Sequence, residues 1–347
     1  MPTPIPLSRP DLSCDDARAV LEQLARAPFR DVEALRRWEG MWESVWQRRA
    51  VAFADHGEAW RLLGELLGWR AGDVLVVDAL LDPVWREAVR GCWWHEAVRD
   101  VEPESGRAVG APFGPVAGGM VRGEVIRHAC GWPVDLPSGE DGTWVAEEIS
   151  SVVRPWPGVG RGAVQLVDLS GSGLLPVGTG CVLLSTDGEL VAALAHRRRH
   201  LPSAAACALG CALLTTLPGR LERRRQLAGR YRAWLRLAGW ATMPRDPPSG
   251  REWALFCLAM RTEESRIALA DFLRRADIGC GAPVWFHPVT DSRHDLSGLK
   301  RFLGHALALP LYAALSDAEC KRIVNRIHRW VDRQPVPGFS GGKLIMK

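Results

Sequence analysis

Lysine is nearly absent from this chain, which limits the chemistry that the chain can perform. Only four lysines occur, against forty arginines: Lys300, Lys321, Lys343 and Lys347. A bias toward arginine codons would explain the count, and arginine replaces lysine wherever only positive charge is needed. It cannot replace lysine as a nucleophilic amine, because the guanidinium group does not give up its proton. Imine chemistry through lysine therefore has no nucleophile in the first 299 residues.

The composition is that of an ordinary soluble globular protein. The chain has 347 residues, 47% hydrophobic and 24% charged, which indicates one large or two moderate domains. Its longest apolar stretches, residues 204–217 and 305–315, are shorter than the roughly 20 residues of a membrane span. Residues 1–12 lack the pattern of a signal peptide. We therefore expect a cytoplasmic protein without a membrane span.

Neither the charge nor the cysteines indicate a specialised surface or a metal site. A net charge of +4 is too small for a dedicated nucleic-acid surface, and the basic triplets 197–199 and 223–225 are typical of solvated helix faces. The nine cysteines are scattered without metal-ligand spacing. We expect no nucleic-acid partner, no bound metal and free buried thiols.

The first two thirds of the chain alternate between short apolar runs and helical patterns. Buried strands are predicted at residues 51–54, 74–77, 125–128, 144–146, 164–169 and 181–185. Helices are predicted at 57–68, 83–90 and 189–199. This alternation indicates an α/β fold in which crossover helices cover a sheet.

The pattern changes after Pro218, a favourable first residue for a helix, and one long amphipathic helix is predicted from there to Gly239. A strand at 253–260, a helix at 263–276, a second strand near 283–286 and a helix at 317–331 follow. Ser316 and Glu319 predict a capping box at the start of the last helix. We expect a large domain at 1–217, a linking helix with a small domain at 218–334, and a flexible tail at 335–347.

Six short segments occur in an order that suggests one family of enzymes. They are residues 5–12 (IPLSRPDL), 66–74 (LLGWRAGDV), 101–106 (VEPESG), 125–135 (VIRHACGWPVD), 221–231 (LERRRQLAGRY) and 309–317 (LPLYAALSD). Over nearly its whole length the chain thus resembles the DegT/StrS family of sugar aminotransferases. The resemblance implies fold type I of pyridoxal phosphate enzymes: a large domain with a mixed, mostly parallel sheet flanked by helices, a smaller C-terminal α+β domain, and active sites shared across a dimer.

The same resemblance places several cofactor positions of the family on unsuitable residues. The family's Schiff-base lysine falls on Gly173, and the serine that helps hold the phosphate falls on Asp168. The Gly-Thr pair of the phosphate site becomes Gly57 and Glu58, and the aromatic residue that stacks on the ring becomes Asp82. A carboxylate about 4 Å from a phosphate costs on the order of 4 kcal/mol per charge pair at an effective dielectric constant near 20.

Two further positions complete this vestigial pocket. Glu148 replaces the aspartate that pairs with the pyridine nitrogen, a change that retains the charge, whereas Ser151 replaces a glutamine. Because the nucleophile, the phosphate ligands and the stacking ring change together, we expect a catalytically inactive member of the family with no cofactor and no catalytic residue.

Two alternatives keep a function in the pocket. In the first, the chain is an aminotransferase or a lysine-independent dehydratase that holds pyridoxal phosphate non-covalently and acts on a nucleotide-linked keto sugar, with His56 or His128 as the base. His128 is more typical of a structural histidine. In the second, five acids converge to bind a divalent cation or a cationic ligand, unless arginines such as Arg154 or Arg161 neutralise them. These acids are Asp55, Glu58, Asp82, Glu148 and Asp168.

A non-catalytic chain would act by binding, as a homodimer or as a heterodimer with an active paralogue in a sugar or cell-envelope pathway. Trp38, Trp42 and Trp46 recur every four residues on one predicted helical face. Tryptophan is enriched at interface hot spots, but core packing explains the stripe at least as well.

Overall fold

The computed structural model describes residues 3–9, 12–26, 32–110, 120–134, 136, 144–171, 173–246, 250–283 and 296–334. Its helices are α1 Cys14–Arg26, α2 Val32–Trp46, α3 His56–Leu66, α4 Pro83–Gly91, α5 Gly188–Arg197, α6 Ala204–Trp234, α7 Glu263–Arg274, α8 Ser297–His305 and α9 Asp317–Val331. Its strands are β1 Arg49–Phe53, β2 Val74–Asp78, β3 His95–Arg99, β4 Val121–Arg127, β5 Trp144–Glu148, β6 Val164–Asp168, β7 Cys181–Ser185, β8 Ala241–Thr242, β9 Phe256–Met260 and β10 Ala306–Leu309.

The larger sheet has seven strands in the order β1-β7-β6-β5-β4-β2-β3. Neighbouring strands from β3 to β6 are parallel, and β7 is antiparallel to both β6 and β1. Every residue of β2, β6 and β7 is buried, as expected of strands covered on both faces. The carboxyl ends of β1, β2, β4, β5 and β6 therefore meet at one edge. The predicted α/β class, with a mixed and mostly parallel sheet flanked by helices, is confirmed.

Helix α2 packs its tryptophan stripe into the core. Its buried residues are Leu35, Trp38, Trp42 and Trp46, and all four belong to the cluster that also contains inner residues of α6 and of the large sheet. The spacing of four places the three indoles on one face, and their burial places that face inside the protein. Core packing, rather than an exposed interface, is thus the role of this stripe.

Helix α6 begins earlier than predicted. Ser203 caps it by accepting a hydrogen bond from the Ala206 amide, and the 31-residue helix contains Pro218 in its interior. The predicted start at Pro218 and end at Gly239 are therefore wrong. Proline has no N–H, so the helix gives up one internal hydrogen bond there, and burial of its apolar first half compensates. By length and composition α6 is apolar enough to cross a membrane, but half of its most apolar window is buried inside the protein, as in a core helix of a soluble protein.

The smaller sheet is antiparallel, in the order β10-β9-β8, and packs with α7 and α9 around a second core. The predicted capping box of α9 is confirmed: the Ser316 amide donates to Glu319 Oε2 (2.8 Å) and the Glu319 amide donates to Ser316 Oγ (3.2 Å). Strands β10 and β8 pair with β9 on its two sides. Of the strand predicted near 283–286, residue 283 is an irregular bend and the remainder lies outside the described residues, as does the tail 335–347. The predicted domain boundary at 217/218 falls inside α6 and stays a prediction.

Two glycines of α6 test the packing of α2 on α6. A Cβ at Gly210 would overlap the Trp38 ring, whereas a Cβ at Gly219 would meet no atom within 4 Å. We expect Gly219→Ala to stabilise the protein by up to about 1 kcal/mol, the helix propensity difference. Gly210→Ala should instead destabilise it by about 1–3 kcal/mol, because the clash outweighs the same gain. Urea unfolding of both variants measures the difference, and equal effects would contradict the packing described here.

Candidate active site

The turns that follow β1 and β2 begin helices capped by aspartates. Asp55 accepts a hydrogen bond from the Glu58 amide (2.6 Å) at the start of α3, and Asp82 accepts one from the Val84 amide (3.1 Å) at the start of α4. The first turn of a helix offers free N–H groups to an anion. At α3 a carboxylate of the chain itself already uses one of these donors.

A buried histidine and a buried aspartate pair at the carboxyl edge of the sheet. His56 Nε2 lies 3.0 Å from Asp168 Oδ1, and the Asp168 side chain is 1% exposed. Asp168 also accepts hydrogen bonds from the Ser170 amide and hydroxyl, both at 2.9 Å. Burial alone would raise the pKa of Asp168, but the hydrogen bonds from His56 and Ser170 outweigh it and hold the pKa below its usual value. The Trp85 ring packs edge-on against His56, with ring centroids 4.6 Å apart.

Ser150 links this pair to Glu148. Its hydroxyl accepts a hydrogen bond from the Asp168 amide (2.7 Å), and its own amide donates to Glu148 Oε1 (3.0 Å). Arg127 Nε lies 3.3 Å from Glu148 Oε2. Burial raises the pKa of Glu148, and the Arg127 charge only partly opposes this. Arg127, and not Arg154 or Arg161, is therefore the arginine that neutralises this carboxylate; Arg154 Nε instead lies 2.6 Å from Glu252 Oε2.

Glu58 bonds to the segment that follows α5. Its carboxylate accepts hydrogen bonds from the Arg199 amide (2.7 Å) and the His200 amide (3.0 Å). Gly57 and Glu58 line an open groove with Asp55, Arg61 and His200 that is separate from the cavity at Gly173.

The cavity at Gly173 measures about 50 Å³ and lies between the two sheets. Asp82, Ser151, Arg127 and Arg224 are among its lining residues. A Cβ at Gly173 would lie 3.2 Å from Ser150 Cβ and 3.5 Å from the Asp168 carbonyl oxygen, so a side chain there would be closely surrounded. Pockets that enclose small ligands measure roughly 300 Å³ or more.

The structure thus brings only some of the seven predicted pocket residues together. Asp82, Ser151 and Gly173 face one cavity, and Gly57 and Glu58 line the other groove. Glu148 and Asp168 lie between them and are joined through Ser150. No group of three metal-ligating side chains that could hold an ion occurs among the residues that the structure describes. The five acids do not form a joint cation site because each bonds to different partners.

His128 has a structural role, as its sequence context indicated. It is fully buried, its Nε2 lies 3.1 Å from Glu147 Oε2, and its Nδ1 accepts a hydrogen bond from the Val134 amide (2.9 Å). With both ring nitrogens engaged, it has no free nitrogen for a substrate. His56 is not among the residues that line the Gly173 cavity.

The sequence did not predict that two arginines, Arg127 and Arg224, line the cavity at Gly173. Arg224 lies in a triplet that was expected to be a solvated face, yet it is buried and its Nη1 donates to the carbonyls of Leu311 (2.7 Å) and Ala254 (3.1 Å). Its position in a helical pattern was the available signal: the arginine lies three residues after buried Leu221 and three before buried Leu227.

Comparisons with known proteins identify the fold. A model of the DegT/DnrJ/EryC1/StrS aminotransferase family matches residues 203–328. No curated protein matches the sequence. The aminotransferase TlmJ from Streptoalloteichus hindustanus superposes with a TM-score of 0.82 at 22% identity, covering 94% of this chain and 99% of its own.

Two further structures cover a similar share of the chain. Spr1654 from Streptococcus pneumoniae, in its PLP form, superposes with a TM-score of 0.80 at 14% identity and covers 95% of this chain and 99% of its own. PseC from Helicobacter pylori, an aminotransferase involved in the biosynthesis of pseudaminic acid, superposes with a TM-score of 0.82 at 13% identity. The match covers 95% of this chain and 100% of PseC.

The expectation of no cofactor is wrong. A protein with the same fold has been solved in a PLP form and in a PMP form, so pyridoxal phosphate is associated with this architecture. The residues of this chain do not, however, fit the covalently held form of that cofactor. No lysine among the described residues lines the cavity at Gly173, a chain carboxylate caps α3, and the cavity is small.

The buried edge of the sheet should make stability depend on pH. Burial raises the pKa of Asp78, at the end of β2, from 3.8 to about 7, against the hydrogen bond that its Oδ2 accepts from the Arg127 amide (2.6 Å). Stability from neutral Asp78 is fully present below pH 3.8 and is lost as the pH rises through about 7. Asparagine mimics the neutral acid. The free energy of unfolding of Asp78→Asn should therefore rise relative to that of the wild type by on the order of 2–4 kcal/mol between pH 4 and 7. Urea unfolding across this pH range measures the free energy of unfolding of both proteins. Parallel changes of the two free energies with pH would refute the raised pKa of Asp78.

Sequence and fold point to the same relatives. The family model covers the region from α6 into α9, and the structural matches extend the likeness over more than nine tenths of the chain. The chain is a fold type I protein, and its predicted resemblance to the DegT/DnrJ/EryC1/StrS aminotransferase family is confirmed.

Proposed function

We propose that this chain is a cytoplasmic aminotransferase-fold protein that does not catalyse lysine-dependent transamination. It acts instead as a binding protein or dimer partner in a sugar or cell-envelope biosynthetic pathway. The observation that carries the proposal is that Ser150 and Asp168 close around Gly173, the residue that the resemblance aligns with the family's lysine. The sugar pathway is supported by neighbours such as PseC, whose role is in pseudaminic acid biosynthesis.

Several features around Gly173 support the proposal in addition to the glycine itself. Neither Lys300 nor Lys321 is among the described residues that line the cavity. The α3 amide of Glu58 is bonded to Asp55, and the Asp168 carboxylate is bonded to His56. A lysine alone would therefore not restore the phosphate contacts that the family uses.

The proposal concerns the chemistry of the site and not whether the cofactor binds. Pyridoxal phosphate is the group to test, because one structural neighbour, Spr1654, has been solved in a PLP form. In this chain it would be held by non-covalent contacts.

A second candidate function rests on the pair of His56 and Asp168. A carboxylate at 3.0 Å orients an imidazole, which suits a general base in a lysine-independent dehydratase. His56 lies outside the cavity lining, so a substrate at Gly173 would not reach it without rearrangement. This geometry favours the non-catalytic proposal.

Absorbance spectroscopy with added pyridoxal phosphate tests the proposal. For the wild type, we expect no lysine adduct trapped by borohydride and no amino transfer between glutamate and nucleotide-linked keto sugars. Gly173→Lys is the matched variant, since the backbone of Gly173 is not in the left-handed region and the added Cβ meets only contacts of 3.2 Å or more. We expect it to remain inactive as well, because the α3 donor stays engaged.

Three outcomes would count against the proposal. A trapped wild-type adduct with turnover would overturn it entirely. Turnover by Gly173→Lys alone would show that only the nucleophile is missing. Loss of a keto sugar by dehydration in the wild type, abolished by His56→Ala in a variant with unchanged circular dichroism, would favour the second candidate.

The proposed role as a dimer partner makes a separate prediction. Light scattering of the purified chain should give twice the 38.2 kDa monomer mass, or a monomer that becomes a heterodimer when mixed with an active sugar aminotransferase of the same fold. A mass of one chain under both conditions would rule out this role.

A further inference from the structure

A groove beside the smaller sheet is lined mainly by cations. It lies between α9 and the turn that follows α7, and its volume is about 680 Å³. Its charged lining residues are Arg275, Asp277, Lys321, Arg322, Arg326 and Arg329. Five of these six side chains are positive and one is negative. The volume lies within the range of sites that bind small molecules, roughly 300–1,000 Å³.

The cations of α9 form one continuous stripe. Residues 318, 321, 322, 325, 326 and 329 line the groove, and their spacing places them on a single helical face. The opposite face of α9 packs into the core through Ile323, Val324 and Ile327. From Lys321 to Arg329 the stripe extends about 12 Å along the helix axis. Arg275 faces it from the other wall of the groove.

The chain does not pair these cations with acids. Among the described residues, no carboxylate lies within ion-pair distance of any of the five. Arginines at the start of α9 behave differently: Arg223 Nη2 lies 2.7 Å from Asp317 Oδ1, and Arg230 contacts the same carboxylate. Like charges held in one groove repel each other, and an anion placed between them is attracted by all of them. The groove therefore favours a ligand of high negative charge.

Two of the guanidinium groups are already held in place. Arg322 Nη1 donates to the Thr3 carbonyl (2.6 Å), and its Nη2 donates to the Ala276 carbonyl (2.5 Å). The Arg326 guanidinium lies over the Phe272 ring, 4.1 Å from its centroid, and its buried Nε has no hydrogen-bond partner among the described residues. A side chain that is fixed beforehand loses less conformational entropy when it binds an anion.

We propose that the groove between α7 and α9 binds a ligand that carries two or more linked phosphates. A guanidinium group matches two phosphate oxygens at once, and a chain of phosphates can contact cations on both walls. A single phosphate would reach only one end of the stripe. A free polyphosphate and the diphosphate of a nucleotide share this chemistry. The proposal goes beyond the proposed function and does not depend on the chemistry at Gly173.

An acidic protein segment fits the groove less well. Side chains on one side of an extended peptide recur about every 7 Å, because successive residues point to opposite sides. Linked phosphates share a bridging oxygen, so their charges lie closer together than carboxylates on such a segment. The density of cations in the groove therefore favours phosphates.

Isothermal titration calorimetry of the full chain with tripolyphosphate, at neutral pH and without magnesium, tests the proposal. In about 0.1 M salt we expect one site per chain, with inorganic phosphate binding at least about tenfold more weakly. Binding should weaken at least about tenfold in about 1 M salt, where the Debye length is only about 3 Å. Pyrophosphate and ADP distinguish the two sources of the ligand. Equal affinities indicate that the phosphates alone are recognised, and tighter binding of ADP indicates a nucleotide.

Two double variants locate the site. Arg275→Gln with Arg329→Gln removes one exposed cation from each wall and should weaken tripolyphosphate binding about tenfold. Arg36→Gln with Arg37→Gln is the matched control, because it removes two exposed arginines of α2, which packs on the core of the large sheet. We expect the control to change the affinity less than about twofold. Circular dichroism checks that both variants keep the wild-type fold.

Three results would overturn the proposal. The first is the absence of heat when tripolyphosphate is added to the wild type. The second is an equal loss of affinity in the two double variants, which would show attraction by net charge alone. The third is an oligo-aspartate peptide that binds the wild type as tightly as tripolyphosphate does, which would assign the groove to an acidic protein segment. The first and third comparisons use the wild type, so they decide even if a variant fails to fold.

Discussion

Buried carboxylates at the carboxyl edge of the large sheet must be paired, and this constraint determines the shape of the candidate site. An ionised carboxylate without a partner costs several kcal/mol in the interior of a protein. Asp168 meets the requirement through His56, and Glu148 meets it through Arg127. Because Ser150 bonds to both acids, the two pairs form one continuous network from α3 across β6 and β5 to β4.

The network also couples β6 to the start of α3. Asp168 is buried and bonds to His56, which lies directly before Gly57 and Glu58 at the first turn of that helix. The acid, its histidine and this turn are therefore structurally coupled. Replacing Asp168 or His56 alone by an apolar residue would remove a hydrogen-bond partner from the other buried side chain.

The sequence predicted the buried parts of the fold well and the polar parts poorly. Strands β2, β6 and β7 consist of apolar runs, and all three were predicted close to their observed bounds. Strand β3 was missed because its sequence, HEAVR, has charged or polar residues at three of five positions and forms an edge of the sheet. The start of α6 was missed because an all-apolar stretch has no period, so the only visible boundary was a proline that the helix contains.

The candidate site was predictable as a set of positions but not as a geometry. The resemblance placed seven positions in one pocket, and three of them, Asp82, Ser151 and Gly173, line one cavity. The partners of the acids depend on side-chain contacts between residues more than a hundred positions apart, such as His56 with Asp168. No local pattern carries that information, and so the wrong arginines were assigned to neutralise the acids.

The abundance of arginine, which accompanies the scarcity of lysine, has a structural use that composition alone did not indicate. The middle arginines of the two basic triplets, Arg198 and Arg224, both turn inward and donate to main-chain carbonyls, as Arg127 and Arg251 also do. A guanidinium has five donors in a rigid plane, so it can bond two carbonyls or a carbonyl and a carboxylate at once. Arg198 does so with Ala52 and Glu39, and Arg224 does so with Leu311 and Ala254. An ammonium group has no planar fork of this kind. Arginine therefore serves as a connector between elements in this chain, and the same preference that removed the reactive amine supplies these contacts.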